Sequence, residues 1–156
     1  MIDLIYGPGF LGTRARFYAD LTLILIIASA LMFTIGWRLI LMKKVSAHRW
    51  VQTAAAILNT FVVLMVMIPS FASAILPGIP AKLLEGTYGV TTLHALIGMT
   101  GLLLGGFIVL RANGLMPRFL RFTNYKGFMR TSYFLYMAAT LLGVIVYVTV
   151  YITGPA

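Results

Sequence analysis

The chain has 156 residues, of which 61% are hydrophobic and 10% charged, and its mean hydropathy is +0.99. Soluble domains carry about 25% charged residues, so this composition excludes one and leaves a single polytopic membrane unit. Cysteine is absent and the net charge is +9. The first fact excludes disulfides, iron–sulfur clusters and thiolate metal sites; the second does not point to nucleic acid, because the basic residues flank apolar spans.

Residues 1–16 form an N-terminal arm in which Gly7-Pro8-Gly9 breaks any long helix. Ile2, Leu4, Ile5, Tyr6, Phe10 and Leu11 suit a membrane surface, so the arm is read as interfacial, with docking onto a larger complex as the sharper alternative. Residues 17–153 divide into four apolar segments, each near the roughly 20 residues that cross a bilayer as helix. They predict an all-α, integral membrane four-helix bundle.

The first helix covers about 17–42. Its apolar run continues to Trp37, too long for a cleaved signal segment, so it is read as retained. Asp20 near its start suits the helix dipole, and Arg38 can snorkel from its last turns. The second helix covers about 49–76, with Pro69 as a kink. The backbone bond lost at the proline must be recovered, and Ser70 and Ser73 are the nearby hydroxyls. Gln52, Thr53, Asn59 and Thr60 on this helix offer interhelical hydrogen bonds.

The third helix covers about 88–110, and Thr91, His94, Gly98, Gly101 and Gly105 share one of its faces. Gly101 and Gly105 make a GxxxG pair, the small-residue spacing that lets membrane helices approach closely. The same flat face could admit a porphyrin. The fourth helix covers about 130–153, and Tyr133, Tyr136, Tyr147 and Tyr151 gather at its ends as an aromatic belt does.

Loop charge sets orientation. Arg38, Lys43, Lys44, Arg49, Arg111, Arg118, Arg121, Lys126 and Arg130 lie on one side, and Arg14, Arg16 and Lys82 on the other. Nine against three predicts that both termini are outside the cytoplasm. Lys43, Lys44, His48, Arg49, Arg118 and Arg121 are then candidates for contact with phospholipid phosphate or an acidic partner.

Chemistry is sparse. The three acidic residues stand near boundaries or in loops, and no nucleotide loop, Ser-His-Asp set or HExxH spacing occurs. The chain is therefore expected not to be an enzyme, and no charged or broken helix marks a transport path. Redox ligation rests on His48 and His94. At about 1.5 Å of rise per residue and a core about 30 Å thick, their imidazoles differ in depth by roughly 20 Å, so they cannot hold one haem together. His94 with Met65 or Met67 on the second helix stays possible as a haem b or copper site. The favoured assignment for His94 is packing with no cofactor, and for Gly98, Gly101, Gly105 and Asn59 it is helix contact.

"HRW" opens the second helix, "YGVTTLHALIG" the third, and a basic loop precedes "YFLYMAATLLGVIVYVTVYI". In this order the chain resembles the four-helix membrane family called domain of unknown function 420, which includes a factor for maturing haem–copper cytochrome oxidase. The resemblance spans roughly Ala19 to Ile152, and His48 and His94 match two family histidines. Further family histidines are missing from "IPSFASAILPG" and "RFTNYKGFMR". The resemblance implies a divergent relative kept as a scaffold: an accessory subunit or assembly factor of a respiratory or photosynthetic electron-transfer complex in a bacterial cytoplasmic membrane. The alternative is a haem b or copper protein using His94.

Overall fold

The computed structural model describes residues 7–120 and 124–154, apart from the side chains of Arg118 and Tyr125. Ile2, Leu4, Ile5, Tyr6 and Arg121 lie outside the described residues. Among the described residues, five α-helices make four spans: α1 (Phe17–Leu41), α2 (Val45–Val62), α3 (Ile68–Ala74), α4 (Gly86–Ala112) and α5 (Tyr125–Tyr151). A π-helical turn at Val63–Met67 joins α2 to α3, and a short 3-10 turn follows at Leu76–Gly78. The spans Phe17–Leu41, Val45–Gly78, Gly86–Ala112 and Lys126–Tyr151 are each long and apolar enough to cross a membrane. The fold is an all-α four-helix bundle.

Short connections force antiparallel neighbours. α4 and α5 pack most extensively, α1 and α2 next, and α1–α5 and α2–α4 contacts close the ring. The α1–α2 turn is the tightest: Lys43 takes φ 60°, the left-handed cap conformation, and Lys44 N–H returns to the Leu39 carbonyl at 2.9 Å. Large apolar side chains point outward. Leu31, Leu96, Leu103, Phe134 and Leu141 are all at least 60% exposed, whereas Ala55, Val62, Ser29 and Asp20 are sealed inside. That arrangement suits a lipid exterior, where interiors are built from small and hydrogen-bonded residues rather than from a greasy core.

Helix ends differ from expectation by up to five residues. α5 begins at Tyr125 rather than about 130, because Asn124 caps it: its Oδ1 accepts from Gly127 N–H at 3.4 Å. α4 gains two residues at each end. The second span starts earlier, at Val45, and stays helical throughout, its α pairing giving way to π pairing at Val63–Met67 just before Pro69. Pro69 has no N–H to return to the carbonyl four residues back, and the π turn lies just ahead of it, with Ile68 N–H reaching Val63 O. Ser73 does not repair that gap, contrary to expectation. Its hydroxyl donates to Pro69 O at 2.9 Å within its own turn.

The described part of the arm caps one end of the bundle. Gly9 N–H donates to Ala15 O at 3.0 Å and Phe17 N–H to Gly7 O at 3.0 Å, folding Gly7–Arg16 back on itself. Arg14 donates to the carbonyls of Tyr151, Ile152 and Gly154. These include carbonyls that a helix C-terminus leaves without intrahelical partners, and a cation is favoured there.

Candidate functional site: an apolar cavity beside His94

Where the second span departs at the π turn, α3 loses close contact with α4, and a cavity of about 780 Å³ opens between them. It occupies the half of the bundle nearest the termini, with walls from α1, the end of α2, the π turn, α3, α4 and α5. Ile68, Leu76, Leu96 and Met99 line it and are 39–63% exposed, so it reaches the lateral surface. No Asp, Glu, Lys or Arg lines it among the described residues.

His94 stands on its α4 wall, with Nδ1 2.9 Å from the Ala139 carbonyl on α5. A carbonyl only accepts, so Nδ1 carries the proton and Nε2 keeps its lone pair. Gly143 permits this approach: a Cβ there would lie 3.1 Å from His94 Cε1, whereas one on Gly98 would make ordinary contact with the Ala139 methyl at 3.7 Å. The unpaired side-chain polar atoms sealed from contact are Ser29 Oγ and Thr91 Oγ1 among the described residues. His94 Nε2 has no hydrogen-bond partner there and is not sealed.

Asn59 is the other polar side chain on the wall besides hydroxyls, which include Thr22, Ser70, Thr140 and the unpaired Thr91. It is 7% exposed, and its Oδ1 accepts from the Tyr136 hydroxyl at 3.2 Å. That bond fixes the amide and leaves Nδ2 as an unspent donor. Gly101 and Gly105, on the same face as Gly98, lie against Leu135 and Ser132 of α5, so the helix seated on the glycine face is the chain's own. Met67 and Met99 line the cavity. Met65 does not, being 60% exposed on the outer surface, so its pairing with His94 is corrected.

His48 is elsewhere. It is 8% exposed, and its Nδ1 donates to the Gly36 carbonyl at 2.7 Å, while Gln52 Nε2 donates to Phe33 O at 3.2 Å. One turn of α2 thus clasps one turn of α1. This corrects the expectation that His48 faces phosphate at the surface: it turns inward from its neighbours Lys43, Lys44 and Arg49, which are exposed. His94 and His48 are not brought together. Ile26 and His94 both approach Gly143, and Ile26 to Gly36 is about 15 Å along α1.

A second cluster was not anticipated. Asp20 is 0% exposed; Leu11 N–H donates to its Oδ2 at 2.8 Å and the Tyr147 hydroxyl donates to its Oδ1. Thr13 Oγ1 lies 2.8 Å from the Tyr147 hydroxyl. Tyr136 and Tyr147 therefore face inward as hydrogen-bond donors, and the reading of them as belt residues is corrected. Tyr133 packs on Trp37 at 4.7 Å between ring centroids. A carboxylate inside an apolar helix is a visible signal, but its partners on the arm and α5 are 9 and 127 residues away.

The described residues hold no group of three or more His, Cys, Asp or Glu side chains placed to share a metal. Comparison with family models, with curated proteins and with solved structures finds no match to this chain.

Proposed function

We propose that the chain is a non-catalytic accessory subunit or assembly factor of a respiratory or photosynthetic electron-transfer complex, of the quinol-oxidising or haem–copper oxidase type. The observation that supports this is how its buried polar groups are used. His48, Gln52, Asn59, Tyr136, His94, Asp20 and Tyr147 each join one helix to another or to the arm. Catalytic sites instead converge such groups on one reacting position. The bioenergetic setting rests on the resemblance carried by "HRW" and "YGVTTLHALIG". A bacterial cytoplasmic membrane with both termini outside rests on the nine-to-three loop charge. In that orientation the exposed Lys43, Lys44 and Arg49 meet anionic phospholipid or the partner at the inner face, together with the sequence candidates Arg118 and Arg121.

Solubilisation of native membranes in mild detergent, with co-purification and mass spectrometry, tests this. Haem- or quinol-linked oxidoreductase subunits are expected to accompany the chain. An isolated monomer, with oxidase and quinol-oxidising activities unchanged on deletion, overturns the proposal.

One observation favours a second reading. The Nδ1 bond to Ala139 orients His94 as metal-binding histidines are oriented, and Met67 and Met99 line the same cavity. A haem b or copper protein predicts a haem band in the reduced-minus-oxidised spectrum, or bound copper. Absence of both from protein purified out of its native membrane rejects it.

A further inference from the structure

We infer that the lateral cavity is a binding site for a neutral, hydroxyl-bearing ring lipid of the quinol class, with its head hydrogen-bonded to His94 Nε2 and its tail passing between α3 and α4. The inference does not depend on which complex the chain joins.

Four features lead there. Size comes first: about 780 Å³ lies within the roughly 300–1,000 Å³ of small-molecule sites. The second is charge. With no cation or anion on the wall among the described residues, a fatty acid or phospholipid head would enter unpaired, at a heavy desolvation cost. A neutral ligand has no such cost.

The third is access. The described arm folds over the terminal end of the bundle, where Tyr147 and Tyr151 belong both to its contacts and to the cavity wall. The exposed lining residues Ile68, Leu96 and Met99 instead face sideways along the spans. A ligand dissolved in the bilayer reaches the cavity without crossing water.

The fourth is the polar complement. His94 Nε2 accepts and cannot donate, because Nδ1 holds the proton against Ala139. Asn59 Nδ2 donates, because Oδ1 is held by Tyr136. A diol ring has the chemistry for either atom, since each hydroxyl both donates and accepts. The oxidised dione offers two acceptors and no donor, so it can use Asn59 or the unpaired Thr91 hydroxyl but leaves Nε2 empty. The cavity thus distinguishes the two oxidation states by hydrogen bonding alone; no electron transfer is part of the inference.

The test is calorimetric titration of the whole chain in lipid nanodiscs, under anaerobic conditions, with a decyl-tailed benzoquinol and separately with its benzoquinone. Saturable binding of the quinol is expected, with the quinone about tenfold weaker, the worth of one well-made hydrogen bond. His94→Leu is expected to lower quinol affinity about tenfold to the level of the quinone and to leave the quinone unchanged. Ala72→Phe, at the exposed mouth and away from the α4–α5 packing, weakens both ligands and keeps the test valid should His94→Leu not fold. Equal affinity for the two oxidation states, no saturable binding, or full binding of both in Ala72→Phe overturns the inference. So does haem or copper found on His94 in protein taken from native membranes.

Discussion

Asp20 shows how much one residue's meaning depends on what folds over it. By position it is a helix-start carboxylate; in the structure it is fully enclosed and accepts from Leu11 N–H and the Tyr147 hydroxyl. Asparagine in its place has one acceptor oxygen where the carboxylate has two, and its NH2 faces a donor. Asp20→Asn is expected to cost about 1–3 kcal/mol, seen as a lower melting temperature in detergent and faster tryptic cleavage at Arg14 and Arg16. Unchanged cleavage would contradict the clasp. His94 depends on a neighbour in the same way. A methyl at Gly143 would press on Cε1 at 3.1 Å and on Ile26 Cδ1 at 3.3 Å. Gly143→Ala should therefore push the imidazole off the Ala139 carbonyl, read as a shifted His94 ring signal by nuclear magnetic resonance of labelled protein. Both residues stand out in the sequence as polar groups among apolar ones. Their partners do not, because they come from helices and loops far along the chain.

Among the elements, the glycine face of α4 and the π turn of the second span carry the architecture. A Cβ on Gly101 would sit 3.5 Å from both Leu135 Cβ and Tyr136 N, while one on Gly106 would meet nothing within 4 Å. Gly101→Ala should thus be tolerated. Gly101→Leu must separate α4 from α5 and is expected to destabilise by about 1–3 kcal/mol through overpacking. Gly106→Ala is expected to stabilise by up to about 1 kcal/mol through helix propensity alone. Thermal unfolding of the three variants in one detergent checks the order; equal stabilities would refute it. At Pro69, restoring an N–H with Pro69→Ala removes the cause of the missing α-helical bond. The span should straighten, and spin labels on Ala72 and Leu96 should draw closer. Unchanged distances would mean that the π turn is held by packing instead. The GxxxG spacing was legible in sequence, and so was an irregularity near Pro69, expected as a kink. The π turn and the cavity it opens were not, since they follow from how neighbouring helices meet the bent span.

The whole molecule is a small bundle with its apolar surface outward and its few polar groups inward. Four spans bring the described arm and the end of α5 to one side of the bundle, where Arg14 touches Ile152 and Gly154. The native chain has no cysteine, so single cysteines report topology cleanly. Cysteine at Gly12 or Gly154 should react with an impermeant maleimide added to intact cells, and cysteine at Gly114 only after lysis. The reverse pattern would invert the proposed orientation.

Composition and periodicity by themselves determined the solvent, the number of spans and the helical class. Burying 61% apolar residues in lipid needs no partner from elsewhere in the chain, and each helix satisfies its own backbone. Only the tertiary structure decided which polar atoms are spent and which stay free. His48 turned from a surface cation candidate into a clasp on Gly36, Tyr147 from a belt residue into the donor for Asp20, and His94 became a wall of a cavity with one open nitrogen. The reason is reach. Hydrogen bonds act over about 3 Å, and which groups come within that distance is set by helix neighbours, register and one π turn, none of which a local window of sequence contains.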